Sequence, residues 1–353
     1  MKIKQKAGKK WAAGIIAFLV AMFIVMCLQM ETASAAEKTF KWRAQTWSVP
    51  GSVSFKAQEA ALMHLKDATN GRLEIKLFGP GAIVGAFEGL DAMSNGIYEV
   101  GLNAPAYYAG KEPAFAVFFD VNCLFRNSFD ANVWIYGFGG KELAQELYAK
   151  YKIHYVGPIM MSDEPIMSKV PLNKLADFKG IKIRTPAGLT AALFKRLGAN
   201  PVATPGGEIY TALDTGVVDA AEWITLADNW DIGLHEVSKY VLYPSFHATV
   251  DICDLTVSQK AWDKLPPDLK AAIEIAQHEI SEMNDIKGEI ASKDILSKMI
   301  ARGIVHNQLS DKDYQEVYKL AVEETKIYAE KSPFTKKVID SIFDYLKAMG
   351  RIK

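Results

Sequence analysis

The chain has 353 residues, with 41 Lys and Arg against 41 Asp and Glu, and is 50% apolar and 11% aromatic. That composition excludes a disordered, collagen-like or disulfide-stapled chain, and the length suffices for two domains with a cleft between them. Three cysteines are too few for a disulfide framework, and a net charge of zero gives no electrostatic basis for binding nucleic acid.

Lys2, Lys4, Lys6, Lys9 and Lys10 precede an uncharged run from Trp11 to Leu28, and Ala33-Ser34-Ala35 follows. A basic start, an apolar middle and small residues at −3 and −1 form the pattern signal peptidase reads. Residues 1–35 are therefore expected to be a signal peptide cleaved after Ala35, and the mature protein to be exported to the periplasm. The 18-residue run is also long enough to serve as a retained anchor. Cys27 is not a convincing lipoprotein site, because Met26 stands where a small residue is wanted. Loss of residues 1–35 removes five Lys and one Glu and leaves a mildly acidic charge of −4. Cys123 and Cys253 remain; they read as buried free thiols, with a pair between them left open by the oxidising compartment.

The mature chain then alternates strands and helices. Phe40, Trp42, Ala44 and Thr46 alternate with polar residues as a half-buried strand, and Pro50-Gly51-Ser52 breaks it. A helix is expected over 54–68, a strand through Leu73, Ile75 and Leu77, a helix through Phe87, Leu90 and Met93, and a short strand at Val100–Leu102. The same grammar resumes with strands at Ile153–Val156 and Ile181–Arg184, helices over 187–197 and 208–214, and a strand at Val217–Ala221. This order implies an α/β fold in two lobes with largely parallel pairing.

The last third is nearly all helix. From Pro267 to about Arg302 there is no internal proline, and Ile273, Ala276, Ile280, Met283 and Ile290 mark one apolar face. Such a helix is about 50 Å long, enough to brace both lobes or, alternatively, to pair with a second copy as a homodimer. Helices over 311–330, with Ser310 as N-cap, and over 333–349 follow.

No catalytic or metal motif emerges. The six histidines form no HExxH pair, and there is no zinc spacing, GxSxG, P-loop or GxGxxG. Adjacent acids such as Asp163-Glu164 read as solvated loop residues. The expectation is a binding protein, not an enzyme; an exported enzyme on the same architecture would need a positioned base or nucleophile.

Arg184, at the end of Gly180-Ile181-Lys182-Ile183-Arg184-Thr185-Pro186, could clamp a carboxylate if it faces the gap between lobes. Leu197-Gly198-Ala199, the Glu208–Leu213 run, Gly216-Val217-Val218-Asp219 and Ala221-Glu222-Trp223 follow it. With Trp42-Arg43, Tyr107-Tyr108 and the long C-terminal helices, this spacing resembles the solute-binding subunits (DctP family) of TRAP, tripartite ATP-independent periplasmic, transporters. Ala221-Glu222-Trp223 and Tyr240–Phe246 resemble the branch that binds 2-oxo monocarboxylates.

The resemblance implies a two-lobe periplasmic-binding-protein fold, type II-like, with a hinge and long C-terminal helices. Residues 36–158 with 250–353 would form one lobe and 159–249 the other. It implies a receptor that closes over an organic acid and delivers it to membrane permease subunits. The acid would be a 2-oxo monocarboxylate, aromatic or branched in its side chain if the pocket is lined by aromatics; a C4-dicarboxylate, an aromatic acetate or a sugar acid is the alternative. Arg184 would grip the carboxylate. Tyr108, Trp47, Asn103, Phe246 and His247 would line the pocket with Trp223. No cofactor is required, but in that branch a cation, Na+ or Ca2+, bridges protein and ligand, held here by the Glu222 carboxylate and the Trp223 carbonyl. Two positions depart from the pattern: Ala248 stands where an acid is usual, and Ser162 or Asp163 where a Gln is usual, which removes oxygen ligands from a hard-cation site. Glu222 then ligates the cation, hydrogen-bonds a polar group of the ligand or pairs with a neighbouring base.

Overall fold

The computed structural model describes residues 18–22 and 38–352. Residues 18–22 are an exposed helical stretch; the rest of the expected signal peptide, with its cleavage position at Ala35, lies outside the described residues. Among the described residues no helix is long and apolar enough to cross a membrane.

Among the described residues eleven strands form two sheets. The first has the order β2 (Leu73–Phe78), β1 (Phe40–Thr46), β3 (Val100–Asn103), β10 (Val250–Ser258), β4 (Ile153–Ser162). The second has the order β11 (Val305–Asn307), β9 (Tyr240–Leu242), β5 (Ile166–Ser168), β8 (Ala220–Glu222), β6 (Lys182–Thr185), β7 (Asn200–Ala203). Pairing is mixed rather than largely parallel. β1 with β3, and β6 with both β7 and β8, are parallel. β10 is antiparallel to β3 and β4, and β5 to β8 and β9. The departure has one cause. The chain passes from the first sheet to the second along β4 and returns along β10, so the two crossing strands run in opposite directions, register Val250 with Ser162 through Ser258 with Ile153. The C-terminal span contributes β11, and so Val305–Asn307 joins the second sheet.

β4 is an edge strand, and edges are covered or blunted in stable sheets. Here the helix Pro267–Ala301 covers it. Gln277 Nε2 donates to the Pro158 carbonyl, Met160 N–H donates to Ser281 Oγ at 3.0 Å, and Asn284 Nδ2 donates to the Met160 carbonyl at 3.3 Å. The buried face therefore reads Leu269, Ile273, Ala276, Gln277, Ile280, Ser281, Asn284, Gly288, Ser292, Ile295, Met299. Ile290, expected on the apolar face, is 64% exposed. Steps of seven residues drift about 20° per heptad off a straight 3.6-residue helix, so the stripe from Ala276 through Met283 to Ile290 leaves the core while small and amide residues take its place against the strand.

The helix Asp311–Ala329 touches both cores: Val317 packs with Phe178 and Phe246 in the second lobe's cluster, Ala321 and Tyr328 with Phe115 and Trp134 in the first. Cys123 and Cys253 are free.

Buried between β3 and β10, Asp254 accepts from the Tyr148 hydroxyl, and burial pushes its carboxyl up to about 7. A raised folded-state value means the folded protein holds a proton the unfolded chain has released. This contribution to stability is complete below about pH 4 and is lost as pH rises through about 7. Asp254→Asn is therefore expected to flatten the fall in melting temperature between pH 5 and 8, measured by calorimetry in parallel with the parent chain; an unchanged slope refutes the assignment.

Candidate functional site

Arg184 is the penultimate residue of β6, beside β8, whose last residue is Glu222; the parallel register sets Arg184 opposite Ala221. Both side chains are 1% exposed. The guanidinium is bound on every nitrogen. Nε donates to the Thr204 carbonyl at 2.9 Å. Nη1 donates to the Glu222 carbonyl at 3.0 Å and lies 3.4 Å from both carboxylate oxygens. Nη2 donates to the Tyr107 hydroxyl at 3.2 Å. The Trp223 ring stacks below, 5.2 Å from the guanidinium carbon. Gly206 makes that ring position possible, since a Cβ there would fall 1.9 Å from Trp223 Cη2.

Tyr107 comes from the turn after β3 in the first lobe and also accepts from Gly206 N–H at 3.1 Å. A second set of bonds crosses the lobes at the start of the helix Val53–Ala68. Val53 N–H donates to Asp231 Oδ2 at 3.0 Å, and Ser54 Oγ to Asp228 Oδ2 at 2.9 Å. Carboxylates at a helix N-terminus complement its dipole. With Arg184 buried and these bonds made, the conformation is a closed one.

Around the Arg184–Glu222 pair lies a concentration of acid. Glu164, between β4 and β5, is 3% exposed and Asp251, on β10, is fully buried. Among the described residues no amide, hydroxyl or imidazole donor reaches either oxygen of Asp251, which leaves the carboxyl of Glu164, when protonated, to donate to it. Burial is the first cause pushing Glu164 well above the usual carboxylate range, with the charges of Asp251 and Glu222 adding to it. Asp251 is also pushed well up, by burial and then by Asp120 and Glu222. Glu222 is raised by burial against the opposing pull of Arg184.

One ligand atom each from Glu164, Glu222 and His247 falls within 4.8 Å of the others. Hydrogen-bond accounting defines the role of His247. Ser245 Oγ accepts from the backbone N–H of His247 at 3.3 Å and of Ala248 at 3.0 Å, so its own proton goes to His247 Nδ1, 3.0 Å away. A hydroxyl has one proton and two lone pairs; Nε2 therefore carries the imidazole proton and faces Glu164 Oε2 at 3.5 Å. Burial lowers this His to about 3. It is neutral, and its Nε2 is buried beside Glu164 without a hydrogen bond.

Two cavities meet at this site. An inner chamber of about 10 Å3 is lined by Arg184, Glu222, Glu164, Asp251 and Cys253, with Trp47, Ala104, Tyr107 and Trp223 on its outer wall. An outer cavity of about 470 Å3 shares those four wall residues and extends past Phe87, Leu102 and Tyr108.

Of the residues singled out from sequence, Arg184, Glu222, Trp223 and Trp47 converge on the inner chamber, and Tyr108 and Asn103 line only the outer cavity. The Trp223 carbonyl already accepts from Asn229 Nδ2. Phe246 is placed elsewhere. It packs at 5.2 Å from Phe178 and 6.0 Å from Phe194, in the second lobe's core, and lines neither cavity. Its alternation with exposed neighbours is weak, and a loop aromatic reads the same from sequence whether it faces a cleft or a core. Asp251 was not singled out, Glu164 was read only as a solvated loop acid, and Tyr107 entered with Tyr108 in the family pattern without a role of its own. The sequence did carry a signal for Asp251: an acid inside the apolar strand Val250–Ser258, buried at every position, since a charge on a fully buried strand requires a partner or a purpose.

Two α/β halves joined by antiparallel crossing strands, with a guanidinium enclosed between them, define a two-lobed solute-binding protein. The chain belongs to the bacterial extracellular solute-binding proteins, family 7 (DctP), whose family model matches residues 44–331. It is 30% identical over 322 residues, 90% of this chain and 87% of the relative, to the monocarboxylate 2-oxoacid-binding periplasmic protein of Nostoc sp.. Among solved structures it resembles a TRAP transporter solute-binding protein of Bordetella bronchiseptica with calcium and picolinate, at TM-score 0.80 and 28% identity, covering 89% of this chain and 93% of that one. A TRAP solute-binding protein of Colwellia psychrerythraea with bound calcium and pyruvate matches at TM-score 0.79 and 25% identity, covering 88% and 95%.

Proposed function

We propose that this chain is the periplasmic receptor of a TRAP transporter for a 2-oxo monocarboxylate, captured by lobe closure and handed to the membrane permease subunits. The observation that carries the reading is charge. Among the described residues Arg184 is the one cation on the walls of either cavity, whereas Glu88, Glu164, Glu208, Glu222 and Asp251 all line them. One guanidinium matches one carboxylate; a second carboxylate, as in a C4-dicarboxylate, would meet only acids.

The donor set fits a hard cation. Glu164, Glu222 and Asp251 supply oxygens, Asp251 with no amide, hydroxyl or imidazole donor of its own, and calcium favours six to eight such ligands. In this reading Glu164 and Asp251, nearby in the chain, take the place of the oxygen ligands missing at Ala248 and at Ser162 or Asp163. A cation held by these carboxylates would supply positive charge to the keto and carboxylate oxygens of the acid.

Closure follows from differential contacts. Arg184, Glu222 and Gly206 stand on one lobe and Tyr107, Trp47 and Asp251 on the other, so an anion bridging them favours the closed form over the open one. No bond is made or broken. Thermal-shift titration of the mature protein with pyruvate, 2-oxobutyrate, succinate and galacturonate, with and without EDTA, tests this. The expected result is a rise with the 2-oxo acids that EDTA reduces. A rise confined to succinate or galacturonate overturns the reading.

A further inference from the structure

The inner chamber, at about 10 Å3, has room on the scale of one water. The outer cavity, at about 470 Å3, falls in the range of roughly 300–1,000 Å3 typical of sites that bury drug-sized molecules. A three-carbon acid would leave most of it unfilled. Resting on the 2-oxo acid reading above, we propose that this cavity holds the body of the ligand and that the body is an aromatic ring: the solute is an arylpyruvate-type 2-oxo acid.

Three features of the walls carry this. The first is their chemistry. Trp47, Phe87, Tyr98, Tyr107, Tyr108 and Trp223 surround the space, with Phe87 edge-on to Tyr107 at 5.1 Å between centroids. Aromatic pairs favour such offset and edge-to-face contacts at centroid separations of about 4.5–7 Å, so a planar ring finds partners on several sides.

The second is the state of the polar groups. Gln45 and Asn103 line the cavity but are engaged within the protein. Gln45 Nε2 donates to the Val84 carbonyl at 3.0 Å and its Oε1 accepts from Ile83 and Val84 N–H at 2.8 and 3.1 Å. Asn103 Nδ2 donates to Thr256 Oγ1 at 2.7 Å and its Oδ1 accepts from Tyr108 at 3.0 Å. A polyhydroxylated sugar acid needs several free partners for its hydroxyls, and these two amides keep little beyond one N–H on Gln45 and one lone pair on Asn103. The third is Trp47 Nε1, a buried donor without an acceptor on a wall common to both cavities. It is placed to donate to an oxygen where head group and body join.

The arrangement orients the ligand. The carboxylate meets the donors of Arg184 and Gly206 that the Tyr107 hydroxyl engages in this structure, and the ring extends outward past Ala86 and Phe87. Ala86 is half-buried and Phe87 is 41% exposed, so substitutions there spare the core.

Calorimetric titration of the mature protein with phenylpyruvate and with pyruvate tests the proposal. Phenylpyruvate is expected to bind at least about tenfold more tightly. Ala86→Phe, which fills the cavity, and Phe87→Ala, which removes one ring wall, should each reduce that ratio several-fold. Equal affinity for the two acids, or a ratio that neither variant changes, overturns the aromatic-body assignment and leaves the 2-oxo acid reading standing. Absence of heat with both acids overturns the head-group reading and this proposal with it.

Discussion

Replacing Arg184 by alanine is expected to abolish the acid-induced rise in melting temperature and, in addition, to lower the melting temperature of the ligand-free protein. Both effects come from one fact. Arg184 is 1% exposed and bonds to Glu222, Thr204 and Tyr107, while Glu164 and Asp251 stand close by without a cation of their own. Removing one partner of a buried ion pair leaves a buried charge uncompensated, which costs about 3–5 kcal/mol. Part of that cost is avoided here by protonation, because burial has already raised Glu222, Glu164 and Asp251; the loss should therefore be smaller at pH 6 than at pH 8. Arg184→Lys separates the two effects. An ammonium restores the charge and with it most of the stability, but it lacks the planar fork that reaches Glu222, Thr204 and Tyr107 together, so acid binding should stay weakened by about a hundredfold or more. Differential scanning calorimetry and titration on both variants make the comparison. Parent-like acid affinity in Arg184→Ala would remove the guanidinium from the site.

Many of the strands and helices were legible in the sequence because each rests on a local pattern. Alternation in Phe40–Thr46, the break at Pro50-Gly51-Ser52 and the cap at Ser310 are short-range features that tertiary context did not override. Arg184, Glu222, Trp223 and Trp47 were reached through a family resemblance, since spacing alone does not distinguish a strand-end arginine in a cleft from one on the surface. What stayed hidden depends on long-range placement. Glu164 looked like half of a solvated acid pair, yet it is buried by the crossing of β4 and β10, whose last rungs join Ser162 to Val250 and Met161 to Asp251. Tyr107 and Tyr108 are adjacent in sequence, but the turn at Pro105–Tyr108 sends one to Arg184 and the other to Asn103. The polar buried face of the long helix makes sense only once β4 is known to be an edge strand needing partners for Pro158 and Met160.

Asp251→Asn is expected to raise the melting temperature of the protein in EDTA and to eliminate the further rise that calcium gives the parent chain. The argument starts from burial. Asp251 is fully buried, no amide, hydroxyl or imidazole donor reaches its oxygens, and Asp120, Glu222 and Asp163 bring charge of its own sign to it. In the absence of a cation, an ionised Asp251 raises the energy of the folded state without any counterpart in the unfolded chain; an amide of the same shape removes that charge. With a cation present the sign reverses for the parent, because an oxygen that nothing else satisfies is then available for coordination. A ligand that binds only the folded state stabilises it by about 2.7 kcal/mol at a hundred times its dissociation constant. In a chain of this size that is a shift of several degrees, while the Asn variant, with one carboxylate fewer, should show little or none. Raised folded-state values also fix the pH dependence. Without cation the parent should lose stability as pH rises above the ordinary carboxylate range, and calcium should cancel that loss most strongly at the alkaline end, where its competition with protons for the same oxygens is weakest. Thermal melts of parent and variant at pH 6 and pH 8, each with EDTA and with calcium chloride, give the full comparison. A parent chain indifferent to both EDTA and calcium at either pH would show that protons, and not a metal ion, neutralise the acids around Arg184.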